Sequence, residues 1–234
     1  MNSMTNNIQT KTVLAFDTAM GGVSVGLNAA SGHVVSRMVE TTRGQATILV
    51  PMVKEVLDEA QLTFKDIDLI VSSIGPGSFT GLRIGLATAR SLSLALDVPV
   101  VGLNTLDMMA KHYQAEQPLL IVLESKRQDF YARYYDAEGK ALTEAFADDA
   151  SVVLERAPHE PFMVGGDCLN RFQGCVTGDF GMLDNLTQPD PILMTQIGLA
   201  QYEKEGADEM PQPLYLRGAD VSQPKNPPRK LAEI

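Results

Sequence analysis

Asp17 and Thr18 close the apolar run Thr12-Val-Leu-Ala-Phe-Asp-Thr18, which puts a carboxylate beside a hydroxyl at the mouth of a turn. A pair of hard oxygen ligands there could hold a metal-bound phosphate. An acid in the same position can instead cap a strand-to-turn corner. The second candidate is the stretch Gly75-Pro-Gly-Ser-Phe-Thr-Gly-Leu-Arg83, in which Gly75, Gly77 and Gly81 permit positive φ while Pro76 fixes its own. It precedes an apolar run in which Leu82, Leu86, Ala89 and Leu92 recur at helical spacing, so Thr80 reads as the N-cap. Free N–H groups at such a helix start can receive an anion or the backbone of a partner. A Walker-type phosphate loop ends in Gly-Lys-Ser/Thr, and Gly81-Leu82-Arg83 stands in that place. Ser78 lies in Gly77-Ser-Phe-Thr-Gly81, which is not the Gly-x-Ser-x-Gly spacing of a nucleophile elbow. His33, His112 and His159 include no pair spaced to grip zinc from one helix face.

These residues need elements to position them. Thr12–Thr18, Val23–Leu27 and His33–Val39 read as an antiparallel meander, with turns at Gly21-Gly22 and Ser31-Gly32. Thr41-Thr-Arg-Gly44 then caps a helix to about Ala60, striped by Leu49, Val53, Val56 and Ala60 and widened by Ile48 and Met52. A strand over Ile67–Ile74, the glycine loop, a helix from Gly81 to about Leu96 and a strand over Val98–Leu103 complete a first unit. Leu119–Leu123, Asp129–Tyr135 and Lys140–Phe146 predict a second opening meander, followed by a strand over Phe162–Asp167 and a helix from Ile192 to about Lys204. Two ribonuclease-H-like lobes fit this order: residues 1–115, and a smaller, less regular 116–220. Residues 221–234, rich in proline and charge, read as an extended or disordered tail.

The 234 residues, 44% hydrophobic and 21% charged, suffice for one large domain or two smaller ones. A formal net charge of −10 argues against autonomous non-specific binding of nucleic acid, which needs clustered Lys and Arg. No apolar run approaches the ~20 residues of a membrane span, and Met1-Asn-Ser-Met-Thr-Asn-Asn7 lacks the order of a signal peptide. The expected compartment is the cytoplasm. Cys168 and Cys175 fit free thiols there.

Gly81, Gly85 and Ala89 recur at four-residue intervals, a small-residue ridge that lets another helix approach closely. The bland expectation is a helix buried in its own domain. The sharper one pairs this ridge and Leu82 with the stripe Leu49, Met52, Val53, Val56 and Ala60, making a two-helix partner interface.

The chain resembles the bacterial TsaB (YeaZ) family. Leu14-Ala-Phe-Asp-Thr-Ala19 matches the family's opening strand, and Ile74 to Ala89, with Gly-Pro-Gly-Ser-Phe-Thr-Gly-Leu-Arg-Ile-Gly, matches its most specific motif almost residue for residue. Val101-Gly-Leu-Asn-Thr105 and Pro213-Leu-Tyr-Leu-Arg217 fit two later segments. The sequence departs at Arg43-Gly-Gln45, where the family shows Arg-x-His, and at Glu124-Ser-Lys-Arg127, where it often shows Asp-Ala-Arg. The resemblance implies an actin/Hsp70-like (ASKHA) fold and a non-catalytic subunit. Its partner would be TsaD, which holds the metal and transfers threonylcarbamoyl to a tRNA adenosine, joined by the small ATPase TsaE. It further implies a homodimer when alone and contact with tRNA only through the complex; it firmly implies no cofactor, and leaves room for ATP or ADP at an interface. Asp17, Thr18, Gly75, Gly77, Ser78, Thr80 and Arg83 would then be the vestige of a nucleotide loop. The rival readings are a small-molecule kinase of the same fold, with Asp17 on Mg²⁺, and a protease.

Overall fold

The computed structural model describes residues 11–113, 116–157, 160–207 and 209–217. β1 (Val13–Asp17), β2 (Gly22–Asn28), β3 (Val34–Glu40), β4 (Leu69–Gly75) and β5 (Val100–Asn104) form one sheet in the order β3-β2-β1-β4-β5. β2 runs antiparallel to β1 and β3, whereas β4 is parallel to both β1 and β5. That pattern follows from the connections. Two tight turns join the first three strands, while α1 (Gln45–Glu59) and α2 (Phe79–Leu96) carry the chain back for each parallel strand.

The second sheet repeats the design. β6 (Leu119–Glu124), β7 (Phe130–Tyr135), β8 (Phe146–Asp148), β9 (Met163–Gly166) and β10 (Gly181–Asn185) stand in the order β10-β9-β6-β7-β8, which read from the β8 edge is again three-two-one-four-five in chain order within the lobe. Two ribonuclease-H-like lobes are therefore present. The crossovers of the second are short helices, α4 (Ala150–Glu155) and α5 (Leu169–Cys175). The sequence reading missed both, along with β10 and α3 (Thr105–Tyr113), because runs this short show too few turns for helical periodicity to emerge. The strand expected over Lys140–Phe146 is reduced to a bridge at Ala141 and the three residues of β8.

Lobe boundaries differ from expectation at one point. Helix α6 (Pro191–Glu205), expected within a lobe spanning 116–220, packs on the first sheet: Met194 shares a core with Val13, Ala15, Leu69 and Val71. The chain then runs through Met210, which joins the α1 side of the first core, and Pro211, which lies against Gly102. Leu214 N–H donates to the Ile74 carbonyl at 2.7 Å. The expected tail, 221–234, lies outside the described residues. Among the described residues no helix is long and apolar enough to cross a membrane.

Candidate functional site

Asp17 ends β1 on the face covered by α6, and it is 1% exposed. Its Oδ2 accepts the Ala19 and Met20 N–H groups at 3.2 and 3.0 Å, and its Oδ1 accepts the Ser73 hydroxyl from β4. Burial raises the Asp17 pKa, opposed by the Ser73 hydroxyl and by the Met20 and Ala19 amides. Both oxygens are thus committed to closing the β1–β2 corner and tying it to β4. Thr18 is also spent inward, its hydroxyl donating to the Gly81 carbonyl at 2.7 Å. Among the described residues no group of three or more His, Cys, Asp or Glu side chains could hold a metal ion.

The glycine loop is packed against this corner. Gly75 adopts φ +106°, a conformation closed to most side chains, and passes through a cis bond to Pro76. Ser78 N–H donates to the Ala19 carbonyl at 2.8 Å, and a Cβ on Gly77 would meet that same carbonyl at 2.9 Å. Ser78, not Thr80, is the N-cap of α2, its Oγ accepting from Gly81 N–H at 3.3 Å. The helix begins two residues earlier than the apolar spacing suggested, leaving Thr80 exposed in its first turn. The Ser78 and Gly81 amides, expected to be open to an anion, are used within the loop.

The residues expected as a partner interface are corrected by their burial. Leu49, Val53, Val56 and Ala89 are fully buried, Met52 is 4% exposed and Leu82 2%, and Ala60 is half-buried against the same core. A Cβ on Gly81 would drive into the Thr18 carbonyl, and one on Gly85 would meet Thr18 Oγ1 at 2.9 Å and Ser72 Oγ at 3.3 Å. The small-residue ridge is therefore what lets α2 lie close on β1 and β4. The side chains that α1 and α2 leave to solvent are others: Val50 at 46%, Pro51, Ala87, Ala95 and Leu94 at 86% exposed.

Between the lobes lies a cavity of about 570 Å³, bounded by the start of α2, the β6–β7 turn and the closing segment Leu214–Arg217. Here the sequence reading named Gly77, Ser78, Thr80 and Arg83 as site residues but not Phe79, Tyr215 or the facing Lys126. The Arg83 guanidinium lies 3.8 Å over the Phe79 ring, whose centroid is 5.3 Å from that of Tyr215. Arg171 organises the facing turn: it donates to the Arg127 and Asp129 carbonyls at 2.5 and 2.7 Å, stands 3.1 Å from a Glu124 carboxylate oxygen and covers Phe130 at 3.8 Å. Asp129 meets Arg217 in an ion pair. These groups come from segments far apart in the chain, so no local spacing marks them.

A family model described as TsaD, tRNA N6-adenosine threonylcarbamoyltransferase, matches residues 32–161. An uncharacterised protein of Mycobacterium tuberculosis is 39% identical over 224 residues, covering 92% of this chain and 96% of the relative. The tRNA threonylcarbamoyladenosine biosynthesis protein TsaB of Bacillus subtilis is 25% identical over 220 residues, covering 90% and 96%. A Buchnera aphidicola protein of the same name is 35% identical over 127 residues, 52% of this chain and 60% of that one. Among solved structures, YeaZ from Pseudomonas aeruginosa superposes with a TM-score of 0.76 at 23% identity, over 88% of this chain and all of that one. Duplicated ribonuclease-H-like lobes around a cleft place the protein in the actin/Hsp70-like class of α/β folds. The chain belongs to the TsaB (YeaZ) family of tRNA threonylcarbamoyladenosine biosynthesis proteins.

Proposed function

We propose that this chain is a non-catalytic scaffold that binds and stabilises the TsaD subunit in the complex that makes threonylcarbamoyladenosine in tRNA. The observation that carries this reading is the state of Asp17. The carboxylate that a phosphotransferase of this fold would aim at a metal ion is instead buried and bonded to Ala19, Met20 and Ser73. A kinase reading has no comparable support, since the Ser78 and Gly81 amides of the glycine loop are engaged as well.

The docking surface in this reading is the outward face of α1 and α2. A leucine as open as Leu94, with Val50, Pro51, Ala87 and Ala95 on the solvent sides of the two helices, is apolar surface that association would remove from water. TsaD meets this face in the complex, and a second copy of the chain meets it when TsaD is absent. TsaE joins the assembled pair, any ATP or ADP sits at the interface between subunits, and work on tRNA places the assembly in the cytoplasm. Val50→Glu with Leu94→Glu changes only exposed side chains, so it should leave the fold intact and abolish co-purification with TsaD. Retention of TsaD by that variant would contradict the assigned face.

A further inference from the structure

The cleft between the lobes carries chemistry that a docking role leaves unused. Phe79 is 50% exposed and Tyr215 45%, yet their ring centroids stand only 5.3 Å apart, the planes tilted by 37°, and the Arg83 guanidinium lies 3.8 Å over Phe79. A Tyr–Phe–Arg cluster left half in water offers an aromatic, cationic surface of the kind against which unpaired bases lie. Facing it across the cavity are Lys126 and Arg127 on the β6–β7 turn, with Arg217 on the closing segment. The acids nearby are engaged: Glu124 stands by Arg171, and Asp129 by Arg217. Arg217 itself has its pKa lowered, by burial first and then by the proximity of Arg127, as expected where cations crowd together. In a chain of net charge −10, the lining of this cleft carries Arg83, Lys126, Arg127 and Arg217 against Glu124.

We propose that the cleft receives an unstacked, single-stranded stretch of RNA, one base lying against the exposed Tyr215–Phe79 pair and the flanking phosphates meeting Arg83 and Lys126. The proposal rests on the tRNA-modification reading above and deepens it, because it gives this chain a direct RNA contact. The cations rise from opposite walls, which suits single phosphates spaced along a backbone. A bound nucleoside triphosphate would need converging amides and a metal ligand, and the Ser78 and Gly81 amides and Asp17 are already engaged.

The test is fluorescence anisotropy with a labelled single-stranded RNA heptamer at low ionic strength. It uses the full chain, alone and mixed with TsaD, with ADP as a competitor and circular dichroism as the fold control. The proposal expects binding that falls steeply with salt and weakens at least tenfold in the Phe79→Ala, Tyr215→Ala double variant. Should that variant lose its fold, Arg83→Gln and photocrosslinking from 4-thiouridine RNA, expected at Tyr215, decide the matter. Absence of RNA binding by both the chain and the mixture would overturn the proposal. So would unchanged affinity in the variants, or displacement of the RNA by ADP, which would assign the cleft to a free mononucleotide. Wild-type chain that retains TsaD but takes no RNA overturns this inference alone and leaves the docking reading standing.

Discussion

Ser73 on β4 donates its hydroxyl hydrogen bond to Asp17 at the end of β1, across a sequence separation of 56 residues. The pair ties together the ends of β1 and β4, neighbouring parallel strands of the first lobe. Removing the carboxylate leaves the Ala19 and Met20 amides and the Ser73 hydroxyl buried and unpaired. Asp17→Ala should therefore destabilise the fold by about 2–4 kcal/mol in urea denaturation. A cost near zero would show that the corner does not depend on this side chain.

Interior and outward positions of α2 should separate cleanly. Ala89→Leu forces a larger side chain between α2 and its sheet, at about 1–3 kcal/mol, and Gly85→Leu costs more because Thr18 and Ser72 stand in the way. Leu94→Glu should change stability by less than about 0.5 kcal/mol. Equal thermal midpoints for all three would contradict the packing described.

A second network, half open to water at Asp107, lies at the lobes' junction. Asp107 on α3 accepts Arg133 Nη1 at 2.9 and 3.1 Å and the Tyr135 hydroxyl at 2.7 Å. Asp107→Ala removes the counter-charge of Arg133 and the acceptor of the Tyr135 hydroxyl, but the carboxylate is 45% exposed, so water screens the pair and the expected loss is about 1–2 kcal/mol. Chemical denaturation measures it, and a double-mutant cycle with Tyr135→Phe should show the two losses to be non-additive.

The pH dependence has a defined sign. Burial, opposed chiefly by the Glu124 N–H that bonds its Oδ1, raises the Asp167 pKa to about 6 from an ordinary 3.8. The folded state thus binds this proton more tightly than the unfolded chain. Its contribution to stability is fully present below the ordinary value and is lost as pH rises through about 6. Asp17 contributes with the same sign. Asp167→Asn keeps an acceptor for Glu124 N–H and should flatten the fall in thermal midpoint between acid and neutral pH. A variant with the wild-type slope would show that Asp167 does not set it.

Much of the fold was legible because the first lobe's elements are long. The alternation of Val23–Leu27 and the spacing of Leu49, Val53 and Val56 each report a face that one neighbour buries, and the structure puts those faces together. Periodicity identifies a buried face without saying what buries it. Gly81, Gly85 and Ala89 read equally well as a ridge for a partner helix or for the chain's own strands, and the structure gives them to β1 and β4. Legibility fails for the cleft. Phe79, Lys126, Tyr215 and Arg217 line one cavity only because α6 returns from the second sheet to the first and carries the closing segment across both lobes. Nothing in the local sequence around any of them records that return.

The central claim, a helper subunit and not an enzyme, is tested most directly by reconstituting threonylcarbamoyl transfer to tRNA with TsaD and TsaE, adding or omitting this chain. The account predicts transfer that depends on the chain and fails with the Val50→Glu, Leu94→Glu variant, while the chain alone neither transfers the group nor hydrolyses Mg-ATP. Turnover by the isolated chain, or full transfer in its absence, would contradict it.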